Sequence, residues 1–361
     1  MSRLLLLGAL ALALCGCGGS SPAAPCDGPP EGALTQPPER LSAWCLLEVQ
    51  DGRVVAKGGA LPYTLNTPLF SDYTHKDRLV WLPPGAHAHY QASGAMDLPV
   101  GSVVAKTFSA PGDLRQADAP GRPLETRLLV HTAQGWVGLP YVWDADGRDA
   151  TLQLGGTVLD VAWTDAHGEA RSTHYLVPNK NQCKKCHAAE NEDALHLLGP
   201  TARQLNRDFA YADGAENQLA HWTRVGALEG APAPAEAPRL AVWNDPSTGS
   251  VDARARAYLE GNCAHCHSRT GAARTSGLYL STDETDLFHL GVCKRPVAAG
   301  AGSGGFSYDI VPTAPDASIL PYRLGSTDPM VAMPEVGRSV VHEEGLALIQ
   351  QWIHEMQGSC N

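Results

Sequence analysis

One five-residue stretch occurs twice in this 361-residue chain and constrains it more than any other feature: Cys183-Lys184-Lys185-Cys186-His187 and Cys263-Ala264-His265-Cys266-His267. In an exported protein, Cys-x-x-Cys-His is the attachment signature of a c-type haem. Two sulfurs three positions apart can form thioethers to the two vinyl groups of one porphyrin, and the adjacent histidine is placed to ligate the iron from the proximal side. Two Cys-x-x-Cys pairs could instead make one four-thiolate zinc site, but a zinc site does not require the trailing histidines. A thioredoxin-like dithiol does not explain them either. The expectation is two covalently bound haem c groups, held by Cys183, Cys186 and His187 and by Cys263, Cys266 and His267.

The N-terminus supplies the export context. Met1-Ser2-Arg3 precedes an apolar run over 4–14, a secretory signal too short to span a bilayer. Leu14-Cys15-Gly16-Cys17 resembles a bacterial lipobox, so residues 1–17 read as a lipoprotein signal and Cys17 as the lipidated residue; Cys15, with Leu14 before it, fits less well. An ordinary cleaved signal is the alternative. The expected location is the cell envelope, anchored by lipid and facing the periplasm, on the outer membrane in preference to the inner. Residues 18–40, rich in Gly, Ser, Pro and Ala, read as a flexible tether. Outside the cytoplasm the ten cysteines need partners. The leader takes Cys15 and Cys17 and the haem motifs take four. Cys26, Cys45, Cys293 and Cys360 remain, with three possible connectivities, of which Cys26–Cys45 and Cys293–Cys360 keep each pair within one end of the chain. A net charge of -11 argues against nucleic-acid binding and suits docking of a basic partner.

Along the chain, 41–180 shows short β-branched and aromatic segments broken by turn signals, the pattern of an all-β sandwich or jelly-roll-like domain. His87 and His89 would share one face of a strand there, without an evident third metal ligand. A first haem module is expected over 181–238, with helices over 201–211 and 216–228 and a Pro/Ala linker at 230–238. A second is expected over 239–361. An amphipathic helix over 251–261 leads into its motif, and a closing helix carries Ile349, Trp352, Ile353 and Met356. The fold class is therefore α+β multidomain, the β-rich domain followed by a mainly α-helical, cytochrome c-like di-haem region. The Gly-rich 300–305 stretch lacks the Lys-Ser/Thr ending of a phosphate loop.

Each iron needs a sixth ligand or an open position. For the second, Met333 before Pro334 is the expected ligand and Met330 the fallback; a thioether raises the potential by disfavouring Fe(III). The chain has five methionines, Met1, Met96, Met330, Met333 and Met356, and none lies between His187 and Met330. The first iron must take a histidine (His221, His196, His174 or His75), borrow Met330 or Met96, or stay open.

Further stretches carry a resemblance: PLFSDY (68–73), GLPYVW (138–143), VPNKNQCKKCH (177–187), LGPTARQLNR (198–207), RARAYLEGNCAHCH (254–267), CKRPVAAGAGSG (293–304), YDIVP (308–312), PDASIL (315–320) and MPEVGR (333–338). With these the chain resembles a family of bacterial di-haem c-type cytochromes, often lipoproteins. Met330-Val331-Ala332-Met333 departs from the adjacent methionines expected before the proline. The resemblance implies two covalent haems and electron transfer between redox proteins of the cell envelope. It implies no substrate, and no catalytic residue is assigned. The alternatives are a di-haem peroxidase-like enzyme with one open haem, and a cytochrome subunit of a dehydrogenase complex with the β-rich domain as its docking module.

Overall fold

Alternating apolar and polar residues in the N-terminal half pair as antiparallel ladders in the computed structural model, which describes residues 26–116, 119, 121–188, 194–297 and 299–360. Strands β1 (Leu47–Gln50) and β2 (Arg53–Ala56) form a hairpin whose turn residues Asp51 and Gly52 both have positive φ, the Asp-Gly turn that matches strand twist. β3 (Leu61–Tyr63) and β4 (His75–Trp81) follow, and then the short β5 (Ala88–His89). β6 (Val103–Ala110), β7 (Arg122–Thr132), β8 (Gly135–Trp143) and β9 (Ala150–Leu152) complete one six-stranded sheet in the order β3-β4-β6-β7-β8-β9. β10 (Thr157–Thr164) and β11 (Ala170–Val177) form a separate hairpin.

Both faces of the six-stranded sheet are covered. Leu79, Val103, Ala105, Leu128, Val130, Leu139 and Tyr141 bury one face against Ala33, Leu41, Trp44 and Leu47. Residues 26–40, expected to belong to a tether, are thus part of the fold: Ala33 is buried and Cys26 is disulfide-bonded to Cys45. The signal segment and Cys17 lie outside the described residues.

The opposite face carries the first motif's surroundings. They run through α1 (Lys184–His187), α2 (Ala202–Leu205), the hairpin β12 (Asp208–Tyr211) and β13 (Gly214–Asn217), α3 (Gln218–Arg224) and β14 (Leu228–Glu229). Leu205, Leu219 and Trp222 share a core with Val80 and Val104 of the sheet and with Met96 and Leu98. β14 pairs in parallel with β5. The 230–238 stretch is a packed strap, because buried Asn206 donates to the Pro234 and Ala237 carbonyls. Beyond it, α4 (Val251–Asn262), α5 (Ile319–Leu324) and α6 (Glu343–Glu355) enclose a core of Tyr258, Leu259, Ile310, Ile349, Trp352 and Ile353, closed by the Cys293–Cys360 disulfide.

The expected mainly α-helical region is corrected. Strand accounts for 27% of the described residues and helix, 3₁₀ turns included, for 19%, with six short α-helices among them. The helices leading into the second motif and closing the chain are present as α4 and α6. Those expected over 201–211 and 216–228 shrink to four and seven residues. Ala212-Asp213 makes the β12–β13 turn between them, followed by Gly214 at φ 132. Asn217 then caps α3 by accepting from Leu219 N–H, so the helix cannot begin earlier. Between Cys263 and Glu343 the chain is largely loop and 3₁₀ turn.

Residues 64–73 join these parts with almost no regular structure of their own. The Gln218 amide accepts from Thr64 N–H and donates to Thr64 C=O, at 2.8 and 3.1 Å. Gln204 does the same for Thr67, at 2.9 and 2.8 Å. Asn262 Oδ1 accepts from Phe70 N–H at 2.8 Å. Asp72 accepts from the Ser339 and Val340 N–H groups, at 2.6 and 3.0 Å. Gly261 makes this closeness possible: a Cβ there would stand 2.8 Å from the Thr67 carbonyl oxygen.

Replacing Gly261 with Ala gains about 1 kcal/mol of helix propensity but forces an overpacked contact costing roughly 1–3 kcal/mol. The expected outcome is a lower denaturation midpoint in urea with an unchanged slope. A raised midpoint would mean that α4 does not press on Thr67.

Candidate functional site

Both Cys-x-x-Cys-His stretches fold as one tight helical turn. His187 N–H donates to the Cys183 carbonyl at 3.0 Å and His267 N–H to the Cys263 carbonyl at 2.9 Å. Residues i, i+3 and i+4 of such a turn lie on one side, so each turn presents two sulfurs and one imidazole together. The four sulfurs are free thiols, whereas Cys26, Cys45, Cys293 and Cys360 are paired as expected from the sequence.

Each imidazole has an oxygen beside its Nδ1. His187 Nδ1 lies 3.0 Å from the His196 carbonyl oxygen, and His267 Nδ1 lies 3.4 Å from Ser276 Oγ, with the Leu278 backbone acting on the ring. A carbonyl on one ring nitrogen fixes the tautomer and leaves the other nitrogen's lone pair for a metal. Burial pushes both histidines down, His267 to about 4, so both are neutral at neutral pH, as a metal ligand must be. Burial also raises the Cys183 thiol, and the Cys263 thiol to about 12.

The two turns touch. Cys266 Sγ lies 3.4 Å from the Lys185 carbonyl oxygen. Cys186 lies near both Cys266 and His265, and hydrogen bonding with them pulls the Cys186 thiol down while Cys266 is raised. His265 occupies a variable position of the second motif, and nothing local in the sequence marks its contact with the first.

Met333 sits in a braced loop. Its N–H donates to the Arg323 carbonyl at 3.1 Å, and its carbonyl accepts from Arg338 Nη2 and Nε at 2.7 and 3.1 Å. Arg338 also donates to the carbonyls of Arg323, Ser326 and Val340. The same loop neighbours the second motif: Arg338's charge acts on Cys263, Arg323's on His267 and Glu335's on Cys266. Met333 is half-buried, whereas Met330 is 75% exposed.

The residues considered for the first iron are placed otherwise. His221 is buried, stacked on Tyr211 at a centroid distance of 3.4 Å, with Nδ1 3.0 Å from Glu216. His174 and His75 are exposed beside Asp160 and Asp77. His196 adjoins His187 on the Nδ1 side, and Met96 is buried in the core under β5. Met330 is exposed. His87 and His89 do have a third neighbour. The β5–β14 pairing sets Glu229 beside them, with Oε2 2.8 Å from His87 Nε2 and 3.5 Å from His89 Nδ1, an exposed cluster far along the chain from both motifs.

No family model, curated protein or solved structure matches this chain. The resemblance to di-haem cytochromes therefore rests on the chain's own motifs alone. Free thiols, neutral and oriented imidazoles and a braced thioether fit the donor set of c-type haem.

His342 completes the second site's wall. Its ring stacks on Phe70 at 4.2 Å and its Nδ1 meets Tyr258 OH at 3.0 Å. Burial pushes it from 6.5 down to about 4. Between these values the unfolded chain holds the proton and the folded one does not, so stability falls as pH drops through the window, by up to about 1.4 kcal/mol per pH unit. His342→Phe keeps the stack and removes the proton site, so its stability should fall less steeply than the wild type's between pH 6.5 and 4. Parallel slopes in urea titrations across that range would refute the assignment.

Proposed function

We propose that this chain is a di-haem c-type cytochrome that carries electrons between redox partners of the cell envelope. The observation that carries the reading is the contact between the two Cys-x-x-Cys-His turns, where Cys266 Sγ meets the Lys185 carbonyl oxygen at 3.4 Å and the Cys186 and Cys266 thiols influence each other. Groups attached through Cys186 and Cys266 would be held by adjoining turns, which would suit passage of electrons from one to the other. Bound haem supplies one-electron exchange at iron.

The chain's own residues do the rest. Cys183 and Cys186 hold one group and Cys263 and Cys266 the other. His187 and His267 present neutral nitrogens, the first backed by the His196 carbonyl and the second by the Ser276 hydroxyl. Met333 is the candidate thioether ligand at the second site, kept in place by Arg338. The disulfides fit an oxidising compartment. Export with a lipid on Cys17 and a location at the outer membrane belong to the same proposal. One observation favours a second reading, a peroxidase-like enzyme with an open iron at the first site: His221, His174, His75 and Met96 are engaged or turned away.

Intact mass and haem quantification should give two covalent haems per chain, and one in the Cys263→Ala/Cys266→Ala double variant. In the wild type a weak sulfur-to-iron absorption band is expected; Met333→Ala should abolish it and lower one midpoint potential, while Met330→Ala leaves both unchanged. A high-spin ferric signal that responds to peroxide would favour the enzyme, and absence of covalent haem would remove both readings.

A further inference from the structure

The sheet face under the first motif carries an unusual row of charges. Cross-strand pairing sets Arg78 of β4 opposite Lys106 of β6, and Lys106 opposite Arg127 of β7. Directly opposed residues on antiparallel strands project from the same face. Three cations therefore stand side by side across three neighbouring strands, an arrangement that is repulsive unless something anionic lies over it. The next row adds Lys76 opposite Phe108, and Phe108 opposite Glu125. The charges converge on one ring: the Lys106 ammonium lies 4.7 Å, the Arg127 guanidinium 4.4 Å and the Lys76 ammonium 5.8 Å from the Phe108 centroid.

Internal compensation is incomplete. Arg127 makes a two-pronged pair with buried Glu125, at 2.8 and 2.6 Å, and Tyr175 OH also donates to that carboxylate. Asp72 lies close enough to act on Lys76, but its carboxylate is taken up by the Ser339 and Val340 N–H groups. Asp77 acts on Arg78 from the strand's other side, where it pairs with exposed His75. Four cations thus face two inward carboxylates. Lys106 makes no ion pair or hydrogen bond among the described residues; the charge of Glu125 acts on it, but burial together with Arg78, Lys76 and Arg127 outweighs that and pushes its ammonium well below the usual lysine range.

This row lies beside the first motif. A Cβ on Gly138 of β8 would stand 3.3 Å from Cys183 Sγ, and Gly138 is paired with Leu129, two residues from Arg127 on the same face. Lys106 and Arg127 both act on His187, and Arg127 acts on Cys183.

We infer that Arg78, Lys106 and Arg127, with Lys76 at their edge, form a carboxylate-binding floor for the group seated at the first motif. The shared chemistry is a pair of carboxylates, from either of two sources: the propionates of a haem attached at Cys183 and Cys186, or a free organic acid. The first source rests on the function proposed above, and it is the one favoured by the adjacency to Cys183. The six-stranded sheet is then one wall of the first redox site.

The test uses the full-length protein as isolated, with covalent haem counted by intact mass before anything else. Midpoint potentials are measured by spectroelectrochemistry for the wild type, Lys106→Gln and Lys106→Arg, and citrate binding is measured by calorimetry. For propionates as occupants, Lys106→Gln should retain both haems and lower one midpoint potential while the other stays put. Lys106→Arg should restore it, and citrate should not bind the wild type. Unmoved potentials together with citrate binding that Lys106→Gln weakens at least tenfold would keep the floor and assign it to a free acid. Unmoved potentials without citrate binding would overturn the floor itself. Should the wild type carry no covalent haem, the function proposed above fails, and citrate binding alone decides whether the floor stands.

Discussion

The fold depends on side-chain amides standing in for a missing strand. Residues 64–73 cross between the sheet, the first motif's surroundings and the C-terminal core, yet only a few of their backbone groups find backbone partners. Buried backbone groups must be satisfied, and here Gln218, Gln204 and Asn262 do so, all three almost fully buried. The two glutamines each bond both the N–H and the C=O of one residue, as a neighbouring strand would. Losing such a partner strands a buried group at a cost of about 1–3 kcal/mol. Because Asn262 directly precedes Cys263, and Gln204 and Gln218 lie on the helices packed under the first motif's sheet, this crossing sets where the two motifs stand relative to each other.

Much of the site was legible because its information is local. The two motifs, the braced methionine and the disulfide partners are short patterns or follow from counting cysteines. The β-rich character of 41–180 was legible for the same reason, since strand alternation is written in adjacent residues. Helix content was not. In LGPTARQLNR the helix-favouring residues fill only one turn, because Asn206 turns its side chain to the strap carbonyls and Arg207 reaches the Leu65 carbonyl. The 263–342 segment is held by single contacts between distant residues, such as Lys294 with Asp309 and Arg338 with four carbonyls, and contacts of that kind leave no periodicity to read. Glu229 escaped notice beside His87 and His89 because only the parallel β5–β14 pairing brings it there.

The charged row on the sheet was also invisible in the sequence. Arg78, Lys106 and Arg127 each sit in an alternating strand, where a polar residue reads as the solvent side. The alternation was right about which residues share a face and silent about what covers that face. Along the same face Val80 and Val104 meet the helices, while one row further the same strands present cations to the first motif. The apolar part of this face is already covered by the helices, and the cationic row two residues further on is the part that stands beside the first motif, with its thiol against Gly138. In the function proposed for this chain, the propionates of a haem at the first motif would supply the missing negative charge, and the β-rich domain would gain a role as the wall of that site.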